Sequence, residues 1–264
     1  MPAPSLPLAF ESRPRASGRL VGDLVEGFRG LSPAERLTLL RRSVQGRIVF
    51  TTSFGLEDQA LTHWIFGSGL DIAVVTLDTG RLFPETYALW SETEQRYGKR
   101  IRGVYPRGEA LEELVADQGI DGFYLSVEAR KACCGVRKVE PLRRALGGVS
   151  AWVTGLRADQ STNRLGMELV SFDPSYGLIK ANPLLDWSRD ALFSFVKENG
   201  VPLNPLHERG FPSIGCAPCT RAIRPGEPER AGRWWWEDEA RKECGLHVAE
   251  DGRLTRAAPQ EAGA

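Results

Sequence analysis

The chain has 264 residues, 42% of them apolar, enough for one large domain or two small ones around a real core. Lys plus Arg and Asp plus Glu each total 34, so the net charge is zero, which excludes the strong basic excess of a general nucleic-acid binder. No apolar run approaches the roughly 20 residues that a membrane-spanning helix needs.

Residues 1–18 are rich in Pro, Ala and Ser and lack a basic start followed by an apolar run, so a disordered leader is expected rather than a signal peptide. Ser32-Pro33-Ala34-Glu35 reads as a capping box with Pro at the first helical position, opening a helix to about Gln45. A buried strand follows over Arg47–Ser53, then a helix over Leu56–Ser68 and a second strand over Asp71–Asp78. Pro84–Tyr97 reads as helix, Ile101–Tyr105 as a short strand, Ala110–Asp117 and Ala129–Leu146 as helices, and Ala151–Gly155 as a fourth strand. This alternation implies an α/β fold with a mostly parallel sheet, helices on both faces, and ligands at the carboxyl ends of the strands. Beyond Arg157 the pattern loosens into a hairpin around Asp173-Pro174-Ser175 and a helix opened by Trp187-Ser188-Arg189-Asp190. A Pro-rich stretch over Val201–Pro218 and a last helix over Glu227–Glu243 follow. Three tryptophans in a row, Trp234–Trp236, cannot share one buried helix face, so at least one is expected to touch a ligand or partner.

Chemistry concentrates in the five cysteines. Cys216-Ala-Pro-Cys219 has the spacing of two thiolates on one metal centre, and equally that of a redox dithiol. The neighbouring Cys133 and Cys134 diverge on a helix and reach two irons of one cluster more easily than one tetrahedral zinc. All four therefore suit a [4Fe-4S] cluster better than zinc, against a bland alternative in which Cys133 and Cys134 are buried apolar residues. Arg130, Lys131, Arg137, Lys138, Arg143 and Arg144 crowd the double cysteine. Most read as a solvated helix face, whereas Lys138, at i+4 from Cys134, reads as part of an anion site. Cys244, three residues from His247 and near Lys242, is either a reactive thiol or an incidental cysteine in a fraying tail, the stretch from about Glu250 to Ala264 being Ala/Gly/Glu-rich. Thr51–Asp58 follows a strand and opens a helix, a place suited to an anion, though it is no Walker loop. Arg157 and Arg164, after the fourth strand, and Arg230 and Arg233 are further candidates for a phosphate or sulfate.

Together these segments resemble the assimilatory adenylyl-sulfate/phosphoadenylyl-sulfate reductase family over roughly Ile48 to His247. Ser53-Phe-Gly-Leu-Glu-Asp58 is similar to its modified PP-loop, and Leu77-Asp-Thr-Gly-Arg81 with Glu85-Thr86 to its LDTG…ET motif. Gly155-Leu-Arg157 through Arg164 is similar to its arginine loop. Asn204-Pro-Leu-His207, Ile214-Gly-Cys-Ala-Pro-Cys-Thr-Arg221 and Glu243-Cys-Gly-Leu-His247 match its remaining motifs. The resemblance implies a Rossmann-like adenine nucleotide α-hydrolase fold over residues 19–243, with a mobile catalytic segment and tail over 244–264. It also implies that Cys133, Cys134, Cys216 and Cys219 hold one [4Fe-4S] cluster. Cys244 is the implied nucleophile, assisted by His247 and Lys138. Ser53, Gly55, Leu77, Asp78, Thr79, Gly155, Arg157, Arg164, Arg230 and Arg233 are the implied substrate-binding residues. The implied activity is reduction of adenylyl sulfate to sulfite and AMP with thioredoxin or glutaredoxin, in sulfate assimilation and cysteine biosynthesis. It belongs in the cytoplasm, without nucleic-acid or membrane partners and with homo-oligomerisation left open. The competing readings are a phosphoadenylyl-sulfate or dual-specificity reductase, an ATP pyrophosphatase-type enzyme, and a non-catalytic iron–sulfur or zinc redox sensor. Phe54 and Glu57 stand where the pyrophosphatase loop requires Gly and Asp.

Overall fold

A computed structural model describes residues 13–160, 164 and 166–237. In chain order the elements are α1 (Arg13–Phe28), α2 (Pro33–Ser43), β1 (Ile48–Thr52), α3 (Leu56–Gly67), β2 (Ala73–Leu77), α4 (Pro84–Tyr97) and β3 (Arg102–Val104). They continue with α5 (Gly108–Gln118), α6 (Val127–Cys134), α7 (Glu140–Ala145), β4 (Ala151–Val153), β5 (Val170–Asp173), β6 (Leu178–Ala181) and α8 (Arg189–Glu198).

The local chemistry that starts and stops these elements is visible. Ser32 and Glu35 close the capping box reciprocally, and Pro33 takes the first turn of α2. Pro84 opens α4, and Gly98 ends it in the left-handed conformation. The turn of the β5–β6 hairpin is closed by Gly177 N–H on the Asp173 carbonyl at 2.8 Å, with Gly177 at φ 66°.

The six strands run in the order β3-β2-β1-β4-β6-β5. All neighbours are parallel except the β5–β6 pair at the edge. Side chains alternate between two cores, as the period of two requires. Ile48 and Phe50 of β1 face one core together with Val153, Leu37, Leu61 and Leu192. Val49 faces the other with Val75, Trp152 and Leu142. The chain builds outward from β1 to β3 and then returns to place β4 on the other side of β1. That reversal opens a crevice beyond the carboxyl ends of β1 and β4.

Three departures from the sequence reading have physical causes. Helix α1 begins at Arg13, inside the stretch expected to be an unstructured leader, because Leu24 and Phe28 bury their side chains in the core. The single helix expected over Ala129–Leu146 is interrupted by a π-helical turn at Gly135–Val139. Pro141 cannot donate a backbone bond to that turn, and the widened turn re-aims the side chains that follow the cysteines. Over its described part, the helix expected at Glu227–Glu243 is a run of turns. Arg233 bridges Thr220 as an isolated antiparallel pair, and Trp234 has φ 42°. Among the described residues, no helix is long and apolar enough to cross a membrane.

Candidate functional site

A cavity occupies the crevice at the carboxyl ends of the strands. Ser53 and Gly55 after β1, Leu77 and Thr79 at the end of β2, and Gly155 after β4 form its floor. Lys138, Arg164, Arg230 and Arg233 contribute cationic side chains to its walls. The loop between β1 and α3 is held in an uncommon shape. Phe54 adopts φ 60°, unfavourable for a residue with a Cβ, yet its ring is fully buried and stacks on Trp90 at 5.7 Å. Ser53 donates both its amide (2.6 Å) and its hydroxyl (2.7 Å) to Asp58 Oδ2. No side chain caps α3 at Gly55, so its first-turn amides stay available to an anion. Burial pushes the Asp58 carboxyl up to about 7, against the lowering effect of the Ser53 bonds. A Cβ at Gly155 would strike Asp58 Oδ1 and the Glu57 side chain, so only glycine lets the loop after β4 seat on the start of α3.

Two of the substrate-binding candidates do not line the cavity. Asp78 accepts from Gly80 N–H at 2.8 Å and from the Tyr87 hydroxyl at 2.7 Å, and so shapes the turn that carries Thr79. Arg157 is fully buried behind the wall. Its Nε donates to Glu57 at 2.8 Å, its Nη2 to Glu229 at 3.0 Å, and its Nη1 pairs with Asp159. It is the hub of an ion-pair network. Gln160 belongs to the same network, donating to Glu57 at 2.8 Å and accepting from Arg164. The motif residues Thr86 and Asn204 meet directly, with Asn204 Nδ2 donating to Thr86 Oγ1 at 3.1 Å and Asn204 Oδ1 capping Leu206 N–H at 3.1 Å. That pairing fixes the Pro-rich stretch against α4.

Sequence reading did not single out the carboxylates Glu57, Asp58 and Glu229 as part of the cavity wall, where all three lie. The first two were visible as acidic residues at a helix start, but the convergence of Glu57 and Glu229 on Arg157 depends on the crossing of distant segments.

Next to the cavity is a thiol pocket. Cys216 precedes and Cys219 ends a short 3₁₀ turn, Ala217–Cys219, and both pack with Phe123, Trp234, Trp236 and Cys133. The Thr79 hydroxyl lies 3.3 Å from Cys216 Sγ. Burial opposes ionisation of Cys216, but Lys138, the Thr79 contact, Arg233 and Arg137 outweigh it and hold the thiol below its ordinary value. Cys219, buried and beside Cys216, is pushed up to about 12. Arg137, brought round by the π turn, donates to the Thr79 carbonyl at 2.7 Å, and its charge opposes the burial that pushes the Cys133 thiol up. Arg130, expected on a solvated face, is instead 1% exposed; it bonds Cys134 and stacks on Trp234 at 4.7 Å. Trp235, 39% exposed, is the outward member of the tryptophan run. Among the described residues, no three Cys, His, Asp or Glu side chains converge on a single metal ion. Cys244 and His247 lie outside the described residues.

The parallel sheet, its switch point and the cation-lined cavity define a nucleotide-binding α/β protein. The phosphoadenosine phosphosulfate reductase domain matches residues 47–222, and the chain belongs to that family. An adenosine 5'-phosphosulfate reductase of Sinorhizobium fredii is 54% identical over 235 residues, spanning 89% of this chain and 92% of the relative. One of Rhizobium meliloti is 56% identical over 220 residues, 83% of each chain. The crystal structure of a phosphoadenylyl-sulfate reductase from Candida auris, a phosphate complex, superposes with a TM-score of 0.66 at 26% identity, covering 83% of this chain and all of that one.

Proposed function

We propose that the protein reduces adenylyl sulfate (adenosine 5'-phosphosulfate) to sulfite and AMP, through a thiosulfonate formed on Cys244 and cleared by thioredoxin or glutaredoxin. The observation that carries this reading is that Lys138 and Arg233 line the nucleotide cavity and also act on the thiols of the neighbouring pocket. An anionic nucleotide and a thiol-bound group would share one set of cations.

The chemistry divides among the chain's own residues. The loop from Ser53 to Gly55 and the first turn of α3 receive the adenosine phosphate. Lys138, Arg230 and Arg233, with His247, offset the phosphosulfate charge and the charge that grows on the leaving phosphate. The Cys244 thiolate attacks the sulfur of the anhydride. An S–S bond forms, the S–O bond to phosphate breaks, and AMP departs with that electron pair. A dithiol protein then attacks Cys244 Sγ. Sulfite leaves with the pair of the S–S bond, and the second thiol closes a disulfide, returning Cys244 as a thiol. The dithiol supplies both electrons. A reducing cytoplasm suits the five thiols.

Cys133, Cys134, Cys216 and Cys219 would hold one [4Fe-4S] cluster. The donor set fits: three of the thiols share one apolar pocket, the fourth adjoins Cys133 in sequence, and cations surround them. When bound, the cluster supplies fixed negative charge that holds Lys138 and Arg233 in position.

The test is sulfite release from adenylyl sulfate with thioredoxin, run with the wild type and with Cys244→Ser. Brown protein with broad absorbance near ~400 nm is expected in both, and sulfite and the S-sulfonate only in the wild type. Sulfite release by Cys244→Ser, or a colourless zinc protein, would defeat the corresponding part of the reading. The likeness to the Candida auris enzyme favours a second reading, in which the 3'-phosphorylated substrate is used. A higher kcat/KM on adenylyl sulfate than on that substrate decides for the first.

A further inference from the structure

We infer that Arg81 is a positioning residue for the thiol pocket: its guanidinium pins the turn Gly122–Tyr124 over the cysteines, while its backbone joins that cover to the floor of the nucleotide cavity. The cover is aromatic and thin. Phe123, 3% exposed, packs with Cys216, Cys219 and Trp234. Tyr124, the next residue, is 41% exposed, so one short turn of chain stands between the thiols and solvent on this side. Its hydroxyl donates to the Pro218 carbonyl, inside the C-x-x-C segment, at 2.5 Å.

Arg81 holds this turn from three directions. Its guanidinium lies over the Phe123 ring at 5.1 Å, its Nη1 pairs with Asp121 at 3.2 Å, and its Nη2 donates to the Ile120 carbonyl. A planar fork can meet a ring face and two acceptors at once, which a lysine ammonium does poorly. Asp121 is 63% exposed, so that ion pair contributes little, and the ring contact and the Ile120 bond carry the hold. The backbone of the same residue ties two further parts together. Its N–H donates to Thr79 Oγ1 at 3.2 Å, the hydroxyl that lies beside Cys216 Sγ, and its carbonyl accepts from Ala217 N–H at 2.8 Å. Cover, C-x-x-C segment and cavity floor are thus held in one register. The two backbone bonds do not depend on the Arg81 side chain, so changing that side chain loosens the cover and leaves Thr79 seated. A metal centre behind such a cover is reached from solvent when the cover opens, and its rate of release reports how often that happens.

The experiment uses full-length protein as purified, with its resident metal. Arg81→Gln, Arg81→Lys and Asp121→Asn are compared with wild type for release of that metal to a coloured chelator. Phe28→Ala, a core change outside this pocket, serves as the comparison for lost global stability. Release is expected to be about tenfold faster in Arg81→Gln, about threefold faster in Arg81→Lys, and within about twofold of wild type in Asp121→Asn and Phe28→Ala. AMP affinity in Arg81→Gln should stay within about twofold of wild type. Release from Arg81→Gln within about twofold of wild type overturns the inference. Equal acceleration by Phe28→Ala also overturns it, because release would then measure global unfolding. A loss of AMP affinity as large as the gain in release does the same, by assigning Arg81 to the cavity floor. The inference rests on the reading of the four cysteines as one metal centre, and iron and zinc both serve the test. Should the purified protein hold no metal, that reading fails by itself, and alkylation by N-ethylmaleimide, mapped by mass, decides the cover. Faster labelling of Cys216 and Cys219 in Arg81→Gln than in wild type and Phe28→Ala supports it, and equal labelling overturns it.

Discussion

Asp58 shows how one side chain shapes both the cavity and its pH response. Its carboxyl is buried and held by Ser53, and burial raises it to about 7. A carboxyl raised in the folded state contributes stability below the unfolded carboxylate value and loses it as pH rises through the folded value. Between about pH 4 and about pH 7, wild-type protein is therefore expected to lose roughly 4 kcal/mol relative to Asp58→Asn. Urea unfolding at steps across that range reads the difference directly; parallel stability curves for the two proteins would refute it. At this scale the sequence was legible where a residue type carries its own chemistry, as with the C-x-x-C thiols that share a pocket with Cys133. It was not legible for Arg130 and Arg157. An arginine in a basic run or a strand-end loop is ordinarily solvated, and the partners that bury these two, Glu237, Glu57 and Glu229, lie far away in sequence.

The junction of two elements sets the floor of the cavity. The loop after β4 lies against the first turn of α3, and Gly155 is the residue at their contact. Gly155→Ala should force the two apart, lowering stability by about 1–3 kcal/mol and weakening AMP binding. Urea unfolding and an AMP titration test this; a variant unchanged in both would show that the loop reseats freely. Elements delimited by local punctuation were read closely from the sequence, as with α4, bounded by Pro84 and Gly98. Elements shaped by tertiary contacts were not. The stretch from Ala129 to Leu146 has helical composition throughout, and its π turn is marked only by Gly135 and Pro141. The run from Glu227 gives up a helix because Arg233 pairs with Thr220 and Trp234 is clamped by two arginines.

In the molecule as a whole, the N-terminal helix is part of the core. Phe28 is fully buried, and its carbonyl accepts from Arg36 Nε at 3.0 Å, while Arg36 also pairs with Asp186 at 2.6 Å. Phe28→Ala should lower the unfolding free energy by about 3–5 kcal/mol and leave AMP affinity unchanged while the protein is folded. Denaturant midpoints with a parallel AMP titration check this, and a change of affinity at unchanged stability would be the contrary result. Strand–helix alternation made the parallel sheet legible in the sequence. The strand order followed only from the return crossing that places β4 beside β1.

The charges of this neutral chain fall into two populations that ionic strength would separate. The guanidinium of Arg157 and the pair of Arg130 with Glu237 are buried, so added salt reaches them weakly. Lys138 and Arg230 face the open cavity, where dissolved counterions compete with an arriving nucleotide. Raising the salt concentration therefore weakens the capture of an anion while the walls that receive it keep their shape.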